Sequence, residues 1–115
     1  MRSGALRAVH NGEIMLLIRD IMYCKPGKVR AMVDKALAMN KVSERRGMPK
    51  VRVLTDLSAE RFWTVVFETE AESVEAFMNT MSDPDPEAAK EMEEIMKGYH
   101  DLIDNGRREI YKIEG

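Results

Sequence analysis

Ile14-Met15-Leu16-Leu17-Ile18-Arg19-Asp20-Ile21-Met22-Tyr23, closed by Lys25-Pro26-Gly27, is the stretch that decides the architecture. A run of this length, rich in Ile and Leu and bounded by Pro and Gly, reads as a strand. Successive side chains of a strand point to opposite faces. Ile14, Leu16, Ile18 and Met22 therefore share one face, and Met15, Leu17, Ile21 and Tyr23 the other. Both sides are apolar, so both need cover.

Beyond Gly27 the period changes from 2 to 3.6. Val29, Met32, Val33, Ala36 and Leu37 follow the spacing of one helix face. Lys28, Arg30, Asp34, Lys35 and Lys41 lie off that stripe and are expected in solvent, with Gly47 and Pro49 ending the helix. Val51 to Leu57 and Phe62 to Thr69 are rich in strand formers, and Ser58-Ala59-Glu60-Arg61 between them is short enough for a hairpin. Val74, Phe77, Met78 and Met81 mark a short helix that stops before Asp83-Pro84-Asp85-Pro86. Asp85 is the expected N-cap of the next helix, with Pro86 at its first position. That last helix is expected to run to Asn105-Gly106, with Met92, Ile95, Met96, Tyr99, Leu102 and Ile103 buried, followed by a strand from Arg107 to Ile113.

The order is β-α-β-β-α-β. Right-handed crossovers turn it into an α+β, ferredoxin-like fold: a four-stranded antiparallel sheet with its helices on one face and the first and third strands central. Residues 13–115 form the domain. Residues 1–12 show no periodicity and are expected to be a flexible arm or an expression remnant.

Composition excludes several functions. The 115 residues carry 18 basic and 20 acidic side chains, a net charge of −2, which argues against nucleic acid as a partner. No apolar run approaches the roughly 18–20 residues of a membrane span. A single cysteine, Cys24, allows no internal disulfide and no CxxC metal site. With no export signal evident, it points to a cytoplasmic protein. Nucleotide, zinc-protease and serine-hydrolase motifs are absent, and no cofactor or metal is implied.

On the third strand Phe62 and Val66 oppose Trp63, Val65 and Phe67, so the second sheet face is apolar as well. A face of that kind exceeds the apolar patch a monomer usually exposes, and a second copy of the same sheet is the expected cover. This pattern resembles the dimeric α/β-barrel superfamily, and most of all its NIPSNAP-like members. Lys25-Pro26-Gly27-Lys28, Asp83-Pro84 and Gly106-Arg107-Arg108-Glu109-Ile110-Tyr111 are similar to turns and a closing strand of that family. The resemblance covers about residues 13 to 114. It implies a homodimer whose two sheets face each other as a barrel, with no agreed reaction.

Candidate chemistry is sparse. His100 stands at the boundary of the last helix's apolar stripe, where it can act in acid–base work or pair with Asp104. Arg19 and Asp20 interrupt the first strand, one on each face, with Glu68, Arg52 and Asp56 as available partners. Arg19, with His100 a candidate catalytic residue, is thus either a structural ion pair or an anchor for an anionic small molecule. Trp63, Tyr99, Tyr23 and Glu68 are the candidate ligand-binding residues, core packing being the competing role of the aromatics. Cys24 beside Lys25 is a candidate reactive thiol. Within the resembled superfamily, cofactor-independent monooxygenases and haem-degrading enzymes use a pocket between sheet and helices. The haem-degrading members set an Asn, a Trp and a His around it; Trp63 and His100 are present here without the Asn. Three functions follow as expectations: a binder of a small organic molecule, a monooxygenase-like enzyme, and a non-catalytic dimerisation or sensing module.

Overall fold

The computed structural model describes residues 14–81 and 85–115. The N-terminal arm expected at 1–12 and the Asp83-Pro84 turn lie outside them. Strand β1 (Leu16–Cys24) leads into helix α1 (Val29–Arg45); strands β2 (Arg52–Thr55) and β3 (Thr64–Ala71) follow; then come helices α2 (Val74–Met81) and α3 (Pro86–Met96), a 3-10 turn (Tyr99–Asp101) and strand β4 (Ile103–Lys112). The sheet order is β2-β3-β1-β4 with every pair antiparallel. This is the ferredoxin-like α+β arrangement expected from the sequence, with β1 and β3 central.

Register divides the side chains cleanly. Met22 stands opposite Val65, and Asp20 opposite Phe67, on the face toward the helices. There Met32 and Val33 of α1 bury against Cys24 and Val65, with Met96, Tyr99 and Leu102 packed alongside. The other face carries a smaller cluster of Ile21, Tyr23 and Val66, with Leu54 beside it. Leu37, expected in the core, is instead 45% exposed, because the buried stripe of α1 runs on through Val42.

Two interactions that apolar spacing does not show fix the helices. Asn40 exchanges hydrogen bonds with Val51, donating from Nδ2 (2.8 Å) and accepting at Oδ1 (3.0 Å), which ties α1 to the start of β2. Lys35 is not a solvated charge: its Nζ donates to the carbonyls of Ile95 and Lys97, each at 2.8 Å. A cation here meets the negative end of α3. Asp85 caps α3 as expected, its Oδ1 accepting from the Glu87 N–H at 3.0 Å with Pro86 at the first position.

The helix expected to reach Asn105 ends at Met96. Gly98 has φ 81°, a left-handed conformation open to glycine, and the chain turns there into the 3-10 segment and β4. Tyr99, Leu102 and Ile103 still reach the core, but from a turn and a strand rather than from a helical stripe. β3 likewise begins at Thr64, so Phe62 and Trp63 belong to the preceding loop.

Candidate functional site

The loop from Asp56 to Trp63 is closed by its own side chains. The Thr64 N–H donates to Asp56 Oδ1 (2.8 Å), the Thr64 hydroxyl to the Arg61 carbonyl (2.8 Å), and the Cys24 N–H to the Trp63 carbonyl (2.8 Å). These bonds hold Trp63 at φ 63°, a left-handed backbone that a bulky residue adopts only under strain. In consequence Leu57 and Phe62 are almost wholly in solvent, and Trp63 is 43% exposed. Val29, Thr55, Asp56, Phe62 and Trp63 line an open cleft of about 370 Å³. Val29 starts α1 and Thr55 ends β2 on its helix-facing side, so the cleft opens at one end of the gap between helices and sheet.

The other candidate residues are not gathered there. Arg19, Tyr23 and Glu68 lie on the sheet face away from the helices: Arg19 pairs in register with Glu68, and its Nε is 3.3 Å from Glu68 Oε2. The Glu68 partner expected from the sequence is thus present, joined by Arg52 at 3.5 Å. Tyr23 is buried beneath two arginines. Arg61 stands 4.0 Å from its ring centroid and Arg107 5.9 Å, and Arg107 also donates to the phenol oxygen. Tyr99 and His100 sit in the 3-10 turn, their rings 4.0 Å apart; Tyr99 packs against the Cys24 cluster while His100 is exposed. Asp104 belongs to β4, not to a helix turn above His100.

Asp20 has a partner the sequence reading missed. Arg108, its register partner on β4, grips it with Nε at 2.5 Å from Oδ1 and Nη2 at 3.2 Å from Oδ2, and lies 4.9 Å from the Phe77 ring. Arg108 lies within the strand expected from the sequence, but the β1–β4 register that sets it opposite Asp20 is not readable from apolar spacing. Cys24 is buried, and burial pushes its thiol pKa up, with Asp104 and Asp56 adding in the same direction. Lys25 does not make it a reactive thiolate. Glu109 is held below the usual carboxylate range by the Tyr111 hydroxyl, which donates to it at 2.7 Å, and by Arg107 at 2.8 Å; the same bond pushes Tyr111 up. Among the described residues no three His, Cys, Asp or Glu side chains cluster as metal ligands, and no helix is long and apolar enough to cross a membrane.

Comparison with known proteins extends the fold but not the chemistry. No protein-family model and no curated protein matches the chain. Among solved structures it is similar to a NIPSNAP-like domain protein from Burkholderia xenovorans (15% identity over 84% of this chain and 82% of that one, TM-score 0.59). It is similar also to a candidate antibiotic biosynthesis monooxygenase from Chloroflexus aurantiacus (14%, 88% and 94%, 0.59). A third is a dimeric protein of unknown function and ferredoxin-like fold from Bacteroides fragilis (8%, 86% and 96%, 0.57). At these identities the likeness is one of fold, and at that level the expected resemblance to NIPSNAP-like domains holds: the chain has the ferredoxin-like α+β fold of these proteins.

Proposed function

We propose that this chain is a cytoplasmic, homodimeric protein that binds a small organic molecule between sheet and helices, at the Phe62–Trp63 cleft. The observation that carries the reading is the left-handed Trp63. Strain of this kind costs on the order of 1–3 kcal/mol and gathers at binding sites. Here it serves to turn two aromatic side chains outward beside a cleft instead of into the core. A flat, largely apolar ligand suits aromatic walls, with Asp56 and Thr55 as the polar groups that orient it. Homodimerisation rests on the opposite sheet face, where Ile21, Tyr23 and Val66 form a second apolar cluster with Leu54 beside it. The dimeric Bacteroides fragilis structure of the same fold supports it.

Binding is better supported than a monooxygenase-like reaction. His100 and Arg19, the candidate catalytic pair, stand on opposite sides of the sheet, so they do not converge on one reacting atom. Trp63 is the one tryptophan of the chain and reports on its own site. Titration with 1-anilinonaphthalene-8-sulfonate, a planar apolar dye, is expected to quench Trp63 emission by energy transfer. Phe62→Ala should weaken the dye by roughly tenfold, the worth of one aromatic contact of about 1.4 kcal/mol. Dye binding that leaves Trp63 emission unchanged, or that ignores Phe62→Ala, would return the chain to the class of non-catalytic dimerisation modules.

A further inference from the structure

The loop between β2 and β3 sorts its charges to opposite sides of the sheet. Arg61 and Glu60 leave the cleft: the Arg61 guanidinium lies 4.0 Å from the Tyr23 ring centroid, and Glu60 pairs with Arg107 at 3.6 Å. Tyr23 and Arg107 both belong to the face away from the helices. Asp56 stays behind. It is the one charged residue among those lining the cleft, and the Thr64 N–H fixes its Oδ1 at 2.8 Å. Among the described residues Asp56 makes no ion pair, and its Oδ2 accepts no hydrogen bond. Lys25 and Lys28, in the turn that leads into Val29, are exposed and do not pair with it.

We propose that the cleft takes an organic cation: a flat, apolar molecule with a quaternary or protonated nitrogen, held against the rings of Phe62 and Trp63 and facing the Asp56 carboxylate. The inference rests on the small-molecule reading above and adds the sign of the ligand's charge. The face of an aromatic ring carries partial negative charge and attracts a cation, tryptophan most strongly, and more so where water is shut out. Phe62 and Trp63 leave 84% and 43% of their surface open beside a carboxylate that lacks a counter-charge. A half-buried carboxylate has lost part of its hydration, and a bound cation restores what the chain itself does not supply. The field at this end of the gap between helices and sheet has the matching sign. Cys24, whose N–H donates to the Trp63 carbonyl, has its thiol pushed up by burial and then by the negative charges of Asp104 and Asp56. A neutral ligand leaves Asp56 unanswered, and an anion opposes it.

Three aromatic probes separate charge from shape. Quinoline is uncharged at neutral pH, 1-methylquinolinium carries a fixed positive charge, and 1-anilinonaphthalene-8-sulfonate a negative one. Calorimetric titration should give 1-methylquinolinium about tenfold tighter binding than quinoline, the scale of cation–aromatic attraction in a partly shielded site. Asp56→Asn keeps an oxygen for the Thr64 N–H and removes the charge. It should weaken 1-methylquinolinium roughly fivefold, leave quinoline within about twofold, and tighten the sulfonate dye. A change in loop shape moves all three probes the same way, so opposite responses of the two charged probes are a signature that packing does not produce.

Salt gives a second route that needs no variant. Raising ionic strength should weaken 1-methylquinolinium, while quinoline holds or gains as apolar contacts strengthen. Equal affinities for quinoline and 1-methylquinolinium overturn the cation, and so does an Asp56→Asn variant that shifts the three probes alike; in both cases the cleft itself stands. A cation affinity indifferent to salt counts against Asp56 in the same way. If none of the probes binds, the small-molecule reading falls, and the cation with it.

Discussion

Gly106 faces Met22 in the β1–β4 ladder, and a β-carbon there would come within 2.7 Å of the Ile21 carbonyl oxygen. Backbone cannot give way as a flexible side chain can, so Gly106→Ala must push β4 off β1. A loss of roughly 1–3 kcal/mol is expected, the usual cost of overpacking, read as a lower urea midpoint at unchanged slope. From the sequence Gly106 looked like a helix stop; its actual role is close strand approach, a requirement no propensity encodes. Cys24 shows a similar shift of meaning. Its thiol pKa is raised by burial, so the folded state keeps the proton that the unfolded chain releases. The stability this gives is complete below the ordinary thiol pKa and drains away as pH rises through that range toward the folded value. Native protein at pH 8 should thus react with a thiol-exchange reagent far more slowly than protein in urea. Its alkaline loss of stability should flatten in Cys24→Ala. Equal reaction rates in the two states would show that the thiol is not shielded.

Helix α3 is held at both ends by side chains from elsewhere in the sequence. At its start Arg46 pairs with Asp85 at 2.5 Å, and the cap holds the Asp85 carboxyl below its ordinary range, the Glu87 N–H contributing most and Arg46 next. A depressed carboxylate stabilises the fold above its unfolded pKa and loses that effect as pH falls through the folded one. Asp85→Asn keeps the cap without the titration, so its helix signal should fall less on acidification than the wild type's, whereas Asp85→Ala should lose stability at neutral pH already. At the other end Lys35 spans from α1 to the last carbonyls of α3. Lys35→Met retains the stem but removes the ammonium, and should cost about 1–2 kcal/mol by urea unfolding. A neutral result would reduce Lys35 to packing. The sequence showed both ends unequally. Asp85-Pro86 is a local signal, read within a few residues; the Lys35 contact spans 60 positions and depends on where α3 stops. That stop was hidden because Tyr99, Leu102 and Ile103 continue a helical spacing while serving the core from a turn and a strand. Phe62 and Trp63 misled in the same way: they are strand formers by type, but hydrogen bonds to Asp56, Thr64 and Cys24 override that preference.

At the scale of the whole molecule, the apolar surplus of β1 was legible and its consequence only half so. Alternation along Ile14 to Tyr23 showed that both sheet faces bury side chains, and the structure places Ile21, Tyr23 and Val66 in a second cluster away from the helices. Alternation could not show that arginines from the β2–β3 loop and β4 already lie over Tyr23, nor that Arg52, Glu68, Arg19 and Glu109 are register neighbours across that face. The face is therefore mixed, and a dimer built on it should respond to salt. A net charge of −2 is too small to drive long-range repulsion between copies, so any salt effect must come from the local pairs. Raising ionic strength from 0.1 to 1 M shortens the screening length from about 10 to about 3 Å and weakens charges that keep contact with water. Arg52 is two-thirds exposed on the edge strand, whereas apolar contacts strengthen with added salt. If charged pairs on this face contribute to the homodimer contact, sedimentation across that range should show dimerisation weakening by roughly three- to tenfold, the scale of a few partly exposed pairs. Dimerisation that strengthens with salt would mean that the apolar cluster governs the contact, and would leave the charges as a solvated rim.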